Sequence, residues 1–170
     1  MFLNLKSLKS PVKLVYQLSL DLKANPARVT KAQALTLDQS RPLFGLKGTY
    51  GLFGSQEWWD NIVNGKMPRL YLCGDIIEIY KAGLDGDSED DIQLDFKIMT
   101  SDGDVCSESF EANDVNDYSL FKLGAQVHIL YVLDPLKDQS PLGNQKNYSN
   151  ILLEMAVEDI VGSNGIAPDL

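Results

Sequence analysis

The stretch RLYLCGDIIEIYKAG, residues 69–83, has the hydrophobic pattern from which the prediction of the fold starts. Apolar residues occupy alternate positions before and after its glycine, but on opposite phases: Leu70, Leu72, Ile77 and Ile79. A β-strand has this period of two, and the phase changes where a bulge or a bend interrupts the strand. The stretch therefore predicts one long strand with a bulge or sharp bend at Gly74 and Asp75.

Further alternating segments follow this strand along the chain. Apolar residues at positions 92, 94, 96 and 98 predict a second strand, and Ser101–Asp104 has the composition of a hairpin turn. Residues 113–121 predict a short helix that Gly124 ends. Two more alternating segments, 127–133 and 151–157, predict the last strands.

A long bent strand, a hairpin, a short helix and two final strands form an order that resembles a five-stranded OB-type barrel. The resemblance covers residues 68–160 and implies a small antiparallel barrel. Many such barrels bind oligonucleotides or sugars, but a fold does not transfer its function.

The N-terminal part also alternates. Even positions from 12 to 22 are apolar, and residues 28–37 can return as a second strand after Asn25 and Pro26, which predicts a β-hairpin over residues 12–38. The whole pattern predicts a mostly β fold, an antiparallel barrel or sandwich with one or two short helices. We expect one domain over residues 1–160 and a disordered tail over 161–170.

The charge of the chain is unevenly distributed. The net charge of the 170 residues is −9, and residues 75–117 alone carry two Lys or Arg against fourteen Asp or Glu. Residues 1–69 carry ten against four. An acidic surface repels phosphate backbones and attracts cationic partners, so we expect a basic protein partner and no nucleic acid. The alternative is that the acidic loops only keep the protein soluble.

Glycines and aromatic residues dominate GLKGTYGLFGSQEWWDNIVNGKMP, residues 45–68. Its glycine spacing does not fit a nucleotide-binding P-loop, and no lysine follows the glycine at position 54. Ser55 predicts the N-cap of a helix from Gln56 to Asn64. Adjacent helical residues point about 100° apart, so one of Trp58 and Trp59 should enter the core while the other lies at its border.

We consider two groups of residues as candidate partner contacts. The first group is aromatic and has the composition of a binding hot spot: Trp58, Trp59, Tyr50 and Phe53. The alternative for this group is that both tryptophans close the open end of a barrel. The second group forms an acidic loop: Asp85, Asp87, Glu89, Asp90 and Asp91. The loop lacks the glycine and the final glutamate of an EF-hand, so no metal site is expected.

Signals of catalysis, cofactor binding and export are weak in this sequence. The single histidine, His128, lies in an apolar strand pattern, and no nucleophile motif accompanies it. Cys73 and Cys106 predict two buried thiols, with a disulfide as the alternative. Lysines at positions 6, 9 and 13 interrupt the apolar start, so we expect no signal peptide and no membrane segment, and a cytoplasmic protein.

These observations favour a non-enzymatic, acidic protein-binding module. In character it resembles small acidic immunity or inhibitor proteins that neutralise a basic toxin. The alternative is a β-barrel that binds a small ligand, a sugar or an oligonucleotide without catalysis, and a structural subunit of a larger assembly is a third possibility.

Overall fold

The computed structural model describes residues 1–8, 10–82, 93–137 and 147–159. Its strands are β1 Val12–Gln17, β2 Arg69–Ala82, β3 Gln93–Thr100, β4 Val105–Ser109, β5 Gln126–Pro135 and β6 Tyr148–Glu158. Its helices are α1 Leu18–Ala24, α2 Pro26–Leu37 and α3 Gln56–Val63, with 3-10 helices at Leu5–Ser7 and Val115–Leu120. The predicted mostly β, antiparallel class with short helices is confirmed.

The six strands form one sheet in the order β1-β6-β5-β2-β3-β4. Strands β2 to β6 appear along the chain in the predicted order, with a 3-10 helix between β4 and β5. In the part of the chain that the structure describes, β1 and β4 are the outer strands, so strand pairing does not close the sheet. This arrangement is compatible with a sandwich or barrel-like fold.

The long strand β2 has the predicted irregularity. Its register against β3 shifts between Ile76 and Glu78, so the bulge lies slightly later than the phase change indicated. Gly74 has a different role, because a Cβ atom there would lie 2.5 Å from the carbonyl oxygen of Met99. The glycine thus permits close approach of two strands, and the neighbouring bulge supplies the bend.

The predicted N-terminal β-hairpin over residues 12–38 is wrong. Strand β1 ends at Gln17, and α1 and α2 follow it. Leu18 and Leu22 are both buried while Leu20 is exposed, which is the i, i+4 spacing of a helix. Apolar residues at every second position fit both the period of a strand and the i, i+4 spacing of a helix, so alternation alone could not distinguish a strand from a helix here. Pro26 then occupies the first turn of α2, where its fixed φ favours a helix.

Contacts divide the chain into two compact units. The first unit contains residues 1–17, 71–129 and those from 154 onward, and the second contains 18–70 and 130–153. Strands β2, β5 and β6 contribute residues to both units. Each unit has its own buried side chains, such as Phe96 and Ile98 in the first and Trp58 and Ile62 in the second. The single-domain organisation over residues 1–160 stays a prediction.

In the first unit, Asn113 connects the chain that leaves β4 to β1, the other outer strand. The Asn113 backbone N–H donates to the Val15 carbonyl oxygen at 2.9 Å. Its side-chain Oδ1 accepts from the Gln17 N–H at 2.6 Å, and its Nδ2 donates to the Gln17 carbonyl at 3.3 Å. One asparagine therefore satisfies backbone groups of β1 as a neighbouring strand would.

A buried carboxylate holds the first residues of the chain against the same unit. Glu154 is 2% exposed, and its Oε2 accepts the backbone N–H groups of Phe2 at 2.8 Å and Leu3 at 2.6 Å. Charge-assisted hydrogen bonds of this kind offset the cost of removing a carboxylate from water.

Replacing Asn113 tests whether it stabilises the first unit. We expect Asn113→Ala to lower the free energy of unfolding by about 1–2 kcal/mol, because two side-chain hydrogen bonds to Gln17 are lost. The matched control is Asn116→Ala, whose side chain bonds only within its own turn, to Asp114. Urea unfolding followed by circular dichroism measures both, and equal losses would contradict the role of Asn113.

Candidate functional site

The glycine-rich segment lies against α2 in the second unit. All four of its glycines have positive φ angles: Gly45 89°, Gly48 74°, Gly51 95° and Gly54 73°. A Cβ at Gly45 would lie 2.8 Å from Cγ of Leu35, and one at Gly54 would lie 3.2 Å from a methyl group of Val29. These two glycines provide both a left-handed backbone and a close approach to a helix, so the structure gives them a packing role.

The segment leads into α3, which the sequence predicted to within one residue. Ser55 is its N-cap, and the Ser55 Oγ accepts the Trp58 N–H at 3.2 Å. Gly65 follows the helix with a φ of 68°, the left-handed conformation that is common one residue beyond the C-terminal cap.

Trp58 is the central side chain of this unit. It is 0% exposed, and its indole Nε1 donates to Oδ2 of Asp134 on β5 at 2.8 Å. Phe53 and Trp59 pack against it edge to face, with ring centroids 5.1 Å and 4.9 Å away. Trp58 therefore joins α3 to a strand through a hydrogen bond and through aromatic packing.

Sequence reasoning missed Asp134, which is fully buried. Its Oδ1 has no hydrogen-bond partner among the described residues. Burial raises the pKa of the Asp134 carboxyl, while the hydrogen bond from Trp58 acts in the opposite direction. The acidic side chain interrupts a buried apolar strand, which was the only signal in the sequence that could have indicated it.

Trp59 lies at the border of the core, so the prediction that the two indoles differ in burial is confirmed. It lines an open cavity of about 250 Å³ together with Ser19, Leu22, Lys23, Val29 and Gly54. Small-molecule sites usually occupy about 300–1,000 Å³. The cavity is thus large enough for a single side chain of a partner and small for a separate ligand.

Only part of the aromatic group is available at the surface. Trp58 and Phe53 are buried and cannot contact a partner directly in this structure, whereas Trp59 and Tyr50 are partly exposed. The Tyr50 backbone carbonyl accepts a hydrogen bond from Asn61 Nδ2 at 2.9 Å, which fixes the loop on α3. Contact of Trp59 and Tyr50 with a partner stays a prediction.

The acidic loop Asp85, Asp87, Glu89, Asp90 and Asp91 lies outside the described residues. Among the residues that are described, acidity is concentrated in the first unit, which has five Lys or Arg and twelve Asp or Glu. The second unit has eight Lys or Arg and five Asp or Glu. The charge asymmetry of the sequence therefore becomes an asymmetry between the two units.

His128 is buried, and its Nε2 has no hydrogen-bond partner among the described residues. Its Nδ1 lies 2.6 Å from the hydroxyl oxygen of Tyr71. Burial lowers the pKa of His128, and desolvation raises the pKa of Tyr71 to about 12, so both groups favour their neutral forms. The tautomer of the ring determines which of the two donates the hydrogen bond. Cys73 and Cys106 are free thiols and are half-buried. Burial also raises the pKa of the Cys73 thiol, which keeps it protonated and poorly nucleophilic.

The described part of the chain contains no group of three or more His, Cys, Asp or Glu that could hold a metal ion. None of the described helices combines the length and the apolarity that crossing a lipid bilayer requires.

The two tryptophans should differ sharply in their contribution to stability. We expect Trp58→Phe to lower the free energy of unfolding by at least about 2 kcal/mol, because it opens a void and removes the donor that Asp134 has among the described residues. The matched control Trp59→Phe, at a partly exposed position, should cost less than about 1 kcal/mol. Urea unfolding of both variants decides the matter, and a larger loss for Trp59→Phe would refute the assignment.

The buried carboxyl of Asp134 makes a signed prediction about pH. Because its pKa is raised above the ordinary value of 3.8, the folded protein binds this proton more tightly than the unfolded chain does. The free energy of unfolding should therefore fall as pH rises from 3.8 through the higher pKa of the folded state. Asp134→Asn should remove that fall, whereas Asp60→Asn, at an exposed position, should retain it. Unfolding curves between pH 4 and 8 that coincide for the two variants would contradict the prediction.

Comparison with known proteins identifies one family. A family model described as Immunity protein RhsI2 matches residues 12–158, which is most of the chain. A search of the curated proteins finds no match.

Proposed function

Because the chain belongs to the RhsI2 immunity protein family, we propose that it neutralises a toxin by binding it, without catalysis, and that the toxin surface it meets is cationic. The observation that carries this proposal is the charge of the first unit, whose described residues have a net charge of −7. A surface of one sign speeds encounter with a partner of the opposite sign and rejects partners of the same sign.

The surface charge of the first unit is less negative than its composition suggests. Glu154 is buried under backbone amides, and Asp117 is 6% exposed and pairs with Lys13 Nζ at 2.5 Å. These two carboxylates act within the protein. The carboxylates left for a partner include the exposed ones on β2 and in the turn between β3 and β4, to which we add the acidic loop of residues 85–91.

Partner binding without catalysis agrees with the chemistry of the described residues. The single histidine is buried at 3% exposure, with one ring nitrogen bonded to Tyr71, so it does not face a substrate. The Cys73 thiol has a raised pKa. Thiols that remain reduced fit a cytoplasmic location, which we also propose.

Trp59 and Tyr50 are the aromatic contacts that remain in this proposal. Both are partly exposed in the second unit, and the cavity beside Trp59 can accept one side chain of a partner. A tryptophan at such a position buries a large apolar area at low entropic cost.

The proposal predicts protection and salt-sensitive binding. Co-expression of the chain with each toxin domain encoded in the same genome should restore growth for one of them, and that purified toxin domain should bind the chain directly. Because the contact is electrostatic, we expect Kd to rise at least about tenfold between 50 and 300 mM NaCl. Titration calorimetry at several salt concentrations measures this. Toxin binding whose affinity is independent of salt would contradict the cationic surface, and failure to bind at low salt would contradict the function.

A further inference from the structure

The hairpin between β3 and β4 presents two exposed apolar side chains next to each other. Met99 is 45% exposed and Val105 is 53% exposed. They are direct partners in the register of β3 and β4, and Met99 is also paired with Asp75 on β2. Paired residues of neighbouring strands lie on the same face with their Cβ atoms about 5 Å apart, so Asp75, Met99 and Val105 form one row.

Two further carboxylates lie in the hairpin turn that joins β3 to β4, between Met99 and Val105 along the chain. Asp102 and Asp104 are both exposed, and the turn that carries them is well fixed. The Thr100 N–H donates to the Asp104 carbonyl at 2.9 Å, and the Gly103 N–H donates to the Thr100 carbonyl at 3.0 Å. We refer to Asp75, Met99, Asp102, Asp104 and Val105 as the hairpin patch.

The nearest cation on the same strand does not neutralise the hairpin patch. Lys97 Nζ donates to Oε2 of Glu78 at 2.7 Å and lies 5.4 Å from the ring centre of Tyr80. Its charge is therefore directed along the sheet toward β2 and is balanced there by Glu78. Gln126 Nε2, which donates to Asp75 at 3.4 Å, is uncharged. In the part of the chain that the structure describes, no cation pairs with Asp75, Asp102 or Asp104, so the hairpin patch keeps its negative charge next to an apolar surface.

We propose that the hairpin patch is the docking point for an arginine-bearing surface of the toxin, an inference that rests on the proposed function. The aliphatic stem of an arginine packs on Met99 and Val105, while its guanidinium bonds to the carboxylates at the turn. Such side chains combine an apolar stem with a charged head, which matches the two halves of the patch. Methionine adapts its shape to an incoming side chain.

The charge of the patch selects this occupant over the other possibilities. A purely apolar partner would leave Asp102 and Asp104 desolvated without a counter-charge, which costs free energy. A second hairpin patch from another copy of the chain would bring like charges together, which is also unfavourable. A cationic side chain with an apolar stem satisfies both parts at once.

The test measures toxin binding with variants that keep the fold. We expect the double variant Asp102→Asn, Asp104→Asn to raise Kd for the purified toxin domain about tenfold at 50 mM NaCl and to reduce the dependence of Kd on salt. The charge-matched control is Glu57→Gln, Asp60→Asn in the second unit, which removes two exposed carboxylates elsewhere and should change Kd less than about twofold. Met99→Ser should also raise Kd about tenfold.

The possible outcomes separate a failure of the hairpin patch from a failure of the proposed function. If the wild type binds and both double variants raise Kd equally, the effect comes from net charge. That result would overturn the hairpin patch as a docking point and leave the proposed function standing. If the wild type binds and neither the carboxylate variant nor Met99→Ser raises Kd, the hairpin patch is overturned as well. Absence of wild-type binding at low salt would overturn the proposed function and this inference together. Circular dichroism melting curves verify that each variant is folded, and charge reversal with Asp102→Lys should weaken binding further.

Discussion

The hydrogen bonds between Asn113 and β1 are the constraint on which the first unit depends. Strand pairing leaves β1 and β4 as outer strands, and outer strands carry backbone groups that need partners. A single side chain and its own N–H satisfy Val15 and Gln17. Because Asn113 comes four residues after the end of β4, the same bonds also fix the departure of the chain from the hairpin. The acidic first unit thus contains an outer strand in which Val15 and Gln17 have backbone partners.

The second unit solves a different problem with a buried acid. Asp134 accepts one hydrogen bond from Trp58, and its other oxygen has no partner among the described residues, so it contributes less stability than a fully satisfied carboxylate would. What the hydrogen bond provides is a specific packing, because it fixes the orientation of the Trp58 indole. Since Trp59 is the next residue on α3, this orientation places Trp59 at the border of the core. The arrangement also removes one negative charge from the surface.

Much of the fold could be predicted because the strands of the second half alternate cleanly and glycines mark their bends and turns. Leu18 and Leu22 could not be assigned by alternation, since their spacing fits both a strand and a helix. The different burial of Trp58 and Trp59 followed from helical geometry alone. Asp134 could not be assigned, because its partner lies 76 residues away in sequence. The exposure of Met99 was not predicted either. It depends on which residues cover the outer face of the sheet, and the alternation within one strand does not specify them.

Because the two tryptophans lie in different environments, they serve as two intrinsic fluorescence probes. The chain has no other tryptophan, so its tryptophan emission is the sum of one indole buried in a core and one at its edge. A quencher dissolved in water reaches the second far more readily than the first. Emission that splits into an accessible and an inaccessible fraction would follow the integrity of the core and events at the surface in the same cuvette, without a label.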